Sequence, residues 1–358
     1  MAPKFHSLRI KDIRQETTDC VSLAFEVPDA LQAVYTFLPG QYLTLKTELD
    51  GTDIRRSYSI CSSPTDQELR VAIKKVESGR FSTFANEQLS VGDALEVMTP
   101  MGNFYADDLG ASDGRHYVAF AAGSGITPIL SILKTVLKKE PRSYFTLFYG
   151  NRTVESIIFR EVIEGLKNLH LGRLSVHYIL SGEFNGSELF TGRITAEKCR
   201  VFFDKLIDIT TVDHFFVCGP QEMNEAVRNL LLENGVERSK IHVELFTTGL
   251  TISQQPKLKP KQEQGFVAQI KITLDTNIFE FPLLSSGDSI LEAALKAGAD
   301  LPFSCKGGVC CTCRAKLVAG AVEMDVNYAL EPDEIAAGFI LTCQSHPKTK
   351  QVTVDFDV

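Results

Sequence analysis

Short runs of alternating hydrophobic and polar residues recur over residues 1–110. A period of two is typical of strands with one buried face. Turn-forming pairs such as Asp50-Gly51 separate the runs. The predicted strands are SLRIKDI, CVSLAFEV, QYLTLKT, RSYSIC, LRVAIKKV and ALEVMTP. Several short strands at near-regular spacing predict a small antiparallel β-barrel or sandwich in this first domain.

From Arg115 onward, the pattern changes to an alternation of buried strands and amphipathic helices. Strands are predicted at HYVAFAA, YFTLFYG, RLSVHYIL, HFFVCG and IHVELF. Helices are predicted at ITPILSILKTVLKK, VESIIFREVIEGLKNL and QEMNEAVRNLLLENG. Strand–helix alternation of this kind favours a parallel α/β sheet, which we assign to a second domain at residues 111–248.

A polar stretch with two prolines, residues 249–264, then predicts a linker. The third domain, residues 265–358, has strand patterns at FVAQIKITL, IFEFPL and VTVDFDV and a helical pattern at SILEAALKAG. This mixture predicts a small α+β domain. Three domains are compatible with a chain of 358 residues.

Composition and charge narrow the class of protein. Hydrophobic residues make up 44% of the chain and charged residues 23%, as is typical of globular proteins. No apolar run reaches the ~18 residues of a membrane helix. The N-terminal residues lack the apolar core of a signal peptide, so we expect a cytoplasmic protein with no membrane partner. The net charge of −8 argues against a nucleic-acid partner.

Four of the nine cysteines fall within nine residues of the third domain. The spacing Cys305-x4-Cys310-x2-Cys313, with Cys343 far downstream, is that of a plant-type [2Fe–2S] site. A zinc site or incidental buried cysteines are the alternatives, but zinc sites usually show two paired cysteine knuckles. Cys311 occupies a position in this spacing that is not a ligand, and we expect it to be a small neighbour of the cluster.

A glycine-containing turn follows the first strand of the second domain and leads into its first helix. Such a turn lets a pyrophosphate approach the backbone, and the helix start supplies free N–H groups. The pattern is G-x-G-x-x-P, so a dehydrogenase with the G-x-G-x-x-G fingerprint is disfavoured. The predicted nicotinamide-nucleotide contacts are Gly123, Gly125, Thr127 and Pro128.

The identity of the nicotinamide cofactor depends on the residues after the next strand. Arg152 lies there, and an arginine can bind the 2′-phosphate of NADPH, whereas an acidic residue would favour NADH. The first acidic residue is Glu155, so NADPH is predicted. Arg193 is either a second phosphate contact or an ordinary surface arginine.

Together these motifs resemble the ferredoxin–NADP reductase superfamily. Arg56-Ser57-Tyr58-Ser59 ends a predicted strand, Gly79 and Ser82 begin a short helix, and Cys218-Gly219-Pro220 lies at a strand-to-helix turn. The resemblance implies that the arginine binds a flavin pyrophosphate, the tyrosine lies against the flavin ring and the serines hydrogen-bond the flavin. It also implies that the cysteine turn lies near the hydride-transfer face.

Several of these residues also have structural explanations. Gly79 could be a plain turn residue, Ser82 a helix cap and Cys218 a buried turn cysteine. The resemblance implies that Phe246, within Glu244-Leu245-Phe246, covers the other flavin face, although it could equally belong to the core. By the same resemblance, Tyr58, Ser59 and Cys218 would lie at the reacting centre.

With the cysteine motif last, the whole chain resembles the oxygenase-coupled reductases. The stretches AAGSGITPIL, YGNRT, CKGGVCxTC and NYALEPDE narrow this resemblance to the reductase subunits of phenylacetyl-CoA epoxidases. It implies an antiparallel β-barrel flavin domain, an α/β nicotinamide domain and a β-grasp-like ferredoxin domain. Electrons would then pass from NADPH to FAD, to [2Fe–2S], and to the oxygenase component of the epoxidase. Ile54 and Cys311 depart from the family pattern but are not ligands.

Two other functions are compatible with parts of this pattern. The chain could serve another multicomponent oxygenase, such as an aromatic-ring or steroid hydroxylating system. It could also be an iron–sulfur carrier or redox sensor without enzymatic activity, but that function leaves the flavin motif at Arg56 and the Cys218 turn unexplained.

Overall fold

The computed structural model describes residues 4–111, 113–246 and 265–358. The predicted linker, 249–264, lies outside the described residues. The described strands form three main sheets, one for each expected domain, and a small two-stranded sheet. The predicted fold class is therefore confirmed: an antiparallel domain, a parallel α/β domain and an α+β domain follow one another along the chain.

The first domain is an antiparallel sheet of six strands in the order β4-β3-β6-β1-β2-β5. Its strands are β1 (Phe5–Thr17), β2 (Cys20–Glu26), β3 (Tyr42–Leu49), β4 (Thr52–Ser59), β5 (Leu69–Lys74) and β6 (Ala94–Met98). A bridge between Ile60 and Val71 joins the two edges, so that the sheet closes into a barrel. Alternate residues such as Leu8 and Ile10 fill its interior, and helix α1 (Arg80–Glu87) packs beside β5.

The second domain is a parallel sheet of five strands in the order β11-β10-β7-β8-β9. Its strands are β7 (His116–Ala122), β8 (Tyr144–Asn151), β9 (Leu174–Leu180), β10 (His214–Gly219) and β11 (Ile241–Leu245). Its helices are α2 (Ile126–Lys139), α3 (Arg160–Leu169), α4 (Ala196–Lys205) and α5 (Gln221–Glu233). Helices cover both faces, α2 and α3 on one and α4 and α5 on the other.

The predicted helix over residues 154–169 is wrong in one respect, because the chain forms two helical segments there. A 3₁₀ helix spans Val154–Ser156, and α3 begins only at Arg160. Between them, Phe159 adopts a left-handed backbone with φ of +60°. The intervening residues are buried in the core, so tertiary packing overrides the local helical pattern. Helix α4 is not among the predicted elements, although Thr195 Oγ1 accepts the Lys198 N–H at its start.

The third domain is a mixed sheet of five strands in the order β13-β12-β18-β14-β16. The strands are β12 (Val267–Leu274), β13 (Asn277–Leu284), β14 (Arg314–Ala319), β16 (Phe339–Leu341) and β18 (Gln351–Asp355). A separate pair consists of β15 (Val322–Met324) and β17 (Ser345–Pro347), and the helices are α6 (Ile290–Lys296) and α7 (Pro332–Ala336). Among the described helices, none has the length and hydropathy to cross a bilayer.

The strand order of the second domain determines where a ligand would bind. The order reverses between β7 and β10, whose following helices lie on opposite faces of the sheet. In open parallel sheets, ligands bind outside the carboxyl ends of the strands at this reversal. Both predicted nicotinamide turns, at Gly123–Gly125 and at Gly219-Pro220, follow these two strands.

Candidate functional site

The four predicted cluster ligands lie together as two pairs of thiols. The Sγ atoms of Cys305 and Cys310 are 3.1 Å apart, and the Cys313 thiol donates a hydrogen bond to Cys343. Two pairs suit a [2Fe–2S] cluster, since two irons share four thiolates. The hydrogen bond from Cys310, together with N–H groups of Gly307 and Cys310 itself, lowers the pKa of Cys305 to about 5.

Three of these cysteines lie on one loop, residues 305–313, which we call the cluster loop. Its backbone folds tightly, with positive φ at Lys306 and Gly308. A Cβ at Gly308 would lie 3.0 Å from Val326, so the position favours glycine. Gln344 Nε2 donates to Lys306 O at 3.0 Å and to Cys343 Sγ at 3.4 Å, which joins the distant fourth ligand to the loop. The donor set and its N–H groups fit an iron–sulfur cluster.

Cys311 lies in the same loop but not in either pair. Its thiol donates to Ala329 O at 3.6 Å, and burial raises its pKa to about 12. These contacts support the prediction that Cys311 is a neighbour of the cluster.

The predicted flavin residues lie at the end of β4 and the start of α1. The rings of Tyr58 and Phe81 are 5.7 Å apart, so the two motifs are in contact. Arg56 is exposed at the barrel surface. A Cβ at Gly79 would lie 2.4 Å from both Ser82 Oγ and a Val76 methyl, so a larger residue would displace these side chains. Their contacts with a flavin stay a prediction.

Two hydroxyls of this group already have protein partners. Ser82 Oγ accepts the Val76 N–H and donates to Gly79 O, each at 3.2 Å, so it stabilises the turn before α1 and does not cap the helix. Ser57 Oγ lies 3.1 Å from Thr44 Oγ1 and donates to Ser304 Oγ at 2.9 Å. Ser57 therefore contacts the third domain through its side chain.

The two nicotinamide turns approach each other closely. A Cβ at Gly125 would lie only 2.0 Å from Cys218 O, so only glycine allows this approach. Gly123 has φ of +53°, and its carbonyl accepts a hydrogen bond from Tyr149 at 3.0 Å. Thr127 Oγ1 donates to Ser124 O at 2.9 Å, which fixes the turn before α2.

The structure adds an acidic residue whose role the sequence motif did not reveal. Glu244 lies beside Cys218 in the parallel register of β11 and β10, and Ser59 Oγ donates to its carboxylate at 3.4 Å. Burial raises the pKa of Glu244 to about 8 and that of Cys218 well above its usual value. Ser59, Cys218 and Glu244 thus meet where the first and second domains join. Phe246, two residues after Glu244, is partly buried and packs against the core.

The predicted phosphate contact, Arg152, lies exposed just after β8. Arg193 is also exposed. An acidic side chain that is remote in sequence reaches the same turn: Glu183 accepts the Val154 N–H at 2.6 Å. That carboxylate is therefore engaged by the backbone of the turn.

The third domain packs against the barrel through the cluster loop and the residues before it. Tyr42 Oη lies 3.1 Å from Thr312 Oγ1, and both residues are buried. Ser57 on β4 contacts Ser304, the residue before the first cysteine. The strand that ends in the flavin motif therefore also touches the segment that leads into the cluster loop.

Family models match each domain. The model described as an oxidoreductase FAD-binding domain matches residues 7–105. The oxidoreductase NAD-binding domain matches residues 120–229, and the 2Fe-2S iron-sulfur cluster binding domain matches residues 275–348. These matches support the expected order of flavin, nicotinamide and iron–sulfur domains.

The chain is also similar to whole reductase components. It is 45% identical to one of the subunits of the 1,2-phenylacetyl-CoA epoxidase of Escherichia coli (strain K12), over 99% of this chain and 98% of that protein. It is 31% identical to the ferredoxin reductase component of 3-ketosteroid-9-alpha-monooxygenase of Rhodococcus rhodochrous, over 98% and 96% of the two chains. The solved structure of phthalate dioxygenase reductase has the same fold, with a TM-score of 0.57, 24% identity and 98% of both chains covered.

Proposed function

We propose the function of this chain on the basis of its family. The chain belongs to the oxygenase reductases with FAD-, NAD- and [2Fe–2S]-binding domains. The chain is an NAD(P)H-dependent oxidoreductase that passes electrons through FAD and a [2Fe–2S] cluster to an oxygenase component. The oxygenase that we propose as its partner is that of phenylacetyl-CoA epoxidase, because one subunit of that enzyme is 45% identical along nearly the whole chain.

One contact between domains is the main support for the proposed electron route. Strand β4 ends in the flavin motif at Tyr58 and Ser59, and its Ser57 hydroxyl donates to Ser304, directly before Cys305. A flavin on this strand and a cluster in the loop would therefore be neighbours. Bound FAD would supply an acceptor for a hydride from the nicotinamide, and a bound cluster would supply one-electron transfer.

The residues of the chain position these groups and control protons at the reacting centre. Tyr58 and Phe246 would lie against the two faces of the flavin ring. Burial raises the pKa of Glu244 to about 8, and its carboxyl group accepts the Ser59 hydroxyl beside the buried Cys218. Exclusion of water from such a site favours hydride transfer over side reactions. Arg56 and the start of α1 would hold the flavin pyrophosphate by charge and by free N–H groups.

We propose the domain division predicted from the sequence: an FAD domain at 1–110, a nicotinamide domain at 111–248, a linker at 249–264 and a ferredoxin domain at 265–358. We also propose NADPH as the preferred donor. Arg152 supports this choice, since it is exposed at the turn where the 2′-phosphate would lie. The Glu183 carboxylate near that turn already accepts a backbone N–H.

Coupled turnover tests the proposed partner. The chain would be mixed with the oxygenase component of phenylacetyl-CoA epoxidase, and NADPH consumption measured with and without phenylacetyl-CoA. Substrate-dependent consumption with oxygenated product supports the proposal. The matched control uses an oxygenase component that accepts 3-ketosteroids, because a reductase of that system is 31% identical to this chain. Turnover with the steroid system alone would contradict the proposed partner but not the reductase activity.

A further inference from the structure

Arg55 is an arginine buried at the contact between the barrel and the ferredoxin domain. Its side chain is only 6% exposed, although arginine is rarely buried without partners. It lies on β4, two residues before Ser57 and next to the flavin motif. The flavin, nicotinamide and cluster contacts proposed for this chain do not use its side chain.

Arg55 makes contacts on both sides of the domain boundary. Within the barrel, its Nη2 lies 3.0 Å from Asp53 Oδ2. Across the boundary, Nη2 donates to Asp300 Oδ1 at 3.3 Å and Nη1 donates to Leu301 O at 3.5 Å. The guanidinium also lies 4.1 Å from the centroid of the Phe303 ring. All three cross-boundary partners belong to the five residues before Cys305.

Other ion pairs between described residues also cross to the ferredoxin domain, but they are exposed. Lys4 pairs with Asp275 at 3.5 Å, and Arg238 pairs with Glu331, with all four side chains at least 42% exposed. Exposed ion pairs contribute little to a contact. The planar guanidinium of Arg55 is instead only 6% exposed, and it combines a cation–π contact with a hydrogen bond to the Leu301 carbonyl. Its pair with Asp300, whose side chain is 84% exposed, adds little.

We propose that Arg55 is the positioning residue that holds the ferredoxin domain against the flavin strand for electron transfer from flavin to cluster. Asp53 pairs with the guanidinium within the barrel and orients it. When the ferredoxin domain docks, this oriented side chain also contacts Asp300, Leu301 O and Phe303. The contact fixes the segment that leads into Cys305. The inference rests on the proposed electron route and is independent of which oxygenase receives the electrons.

The test separates two steps in the holoenzyme. After rapid anaerobic mixing with NADPH, flavin absorbance follows hydride transfer, and freeze-quench electron paramagnetic resonance follows cluster reduction. For Arg55→Ala we expect flavin reduction within about twofold of wild type and flavin-to-cluster transfer slower by about tenfold, because the docking contacts are lost. Arg55→Lys should recover part of the rate. Arg9→Ala, which changes an exposed arginine on β1, is the matched control and should change neither step.

A structural readout accompanies the rates. Small-angle scattering of holoenzyme should show a larger radius of gyration for Arg55→Ala than for wild type or Arg9→Ala. Phe303→Leu, which removes the ring on the other side of the contact, should give the same separation of the two rates. If Arg55→Ala fails to retain flavin, Phe303→Leu decides between the outcomes. A wild-type flavin-to-cluster rate in Phe303→Leu, or in a folded Arg55→Ala protein, would overturn the proposal.

Discussion

The close approach of the two nicotinamide turns gives the sharpest test of the site geometry. In Gly125→Ala, the new Cβ would lie 2.0 Å from Cys218 O and 2.6 Å from Cys218 C. Ordinary contact begins at 3.4 Å, so one turn must move by about 1.4 Å. A displacement of ~1 Å in a site that orients reactants costs roughly a hundredfold in rate. We therefore expect hydride transfer to slow by about a hundredfold, or ~2.7 kcal/mol in activation free energy.

The assay is anaerobic stopped-flow reduction of the bound flavin by NADPH. The thermal melting temperature and the flavin content are measured alongside, because forcing a methyl into a packed region also costs about 1–3 kcal/mol of stability. Gly165→Ala is the matched control: Gly165 is an exposed residue within α3, and a Cβ there meets nothing within 4 Å. It should raise stability by about 0.5–1 kcal/mol and leave hydride transfer unchanged. Hydride transfer at the wild-type rate in a folded Gly125→Ala protein would refute the functional role of this close approach.

Three further predictions concern the other parts of the site. Cys343→Ser should lose the cluster absorption and retain flavin reduction by NADPH, since Cys343 belongs to the ferredoxin domain and is not among the proposed flavin or nicotinamide contacts; loss of both functions would contradict separate binding sites. Arg152→Ala should lower kcat/KM for NADPH by about tenfold to a hundredfold and leave the value for NADH nearly unchanged, as expected for a lost charge-assisted phosphate contact; equal losses with both cofactors would count against the phosphate role. Burial raises the pKa of Glu244 from 4.5 to about 8, so the folded chain holds a proton that the unfolded chain releases between those values. The stability contributed by this group is therefore lost as pH rises through that window. The melting temperature should fall more for wild type than for Glu244→Gln between about pH 5 and pH 8, and parallel curves would contradict a buried, protonated Glu244.

Local sequence patterns predicted much of the fold. The amphipathic run ITPILSILKTVLKK is helix α2, Ile126–Lys139, with the predicted bounds. The cysteine spacing predicted the thiol set, because three ligands on one loop impose a characteristic spacing. The helix predicted over 154–169 failed at Phe159, where burial of the segment 157–159 outweighs helical periodicity.

The sequence could not reveal contacts between segments that are distant along the chain. Glu183 reaches the turn after β8, and Glu244 meets Ser59, only because the sheets bring these segments together. From the sequence, Arg55 is likewise an ordinary strand residue beside the flavin motif. Its burial depends on Phe303 from another domain. No local periodicity or motif indicates these contacts, so the roles of these residues follow from the tertiary structure.

The order in which flavin and cluster are reduced is the decisive measurement for the proposed electron route. The purified holoenzyme would be mixed anaerobically with NADPH, and flavin absorbance and the paramagnetic signal of the reduced cluster followed over time. Full reduction should take about one and a half equivalents of NADPH, since the flavin holds two electrons and the cluster one. We expect the flavin to be reduced first and the cluster signal to rise afterwards. Cluster reduction before the flavin, or in protein stripped of flavin, would contradict this route.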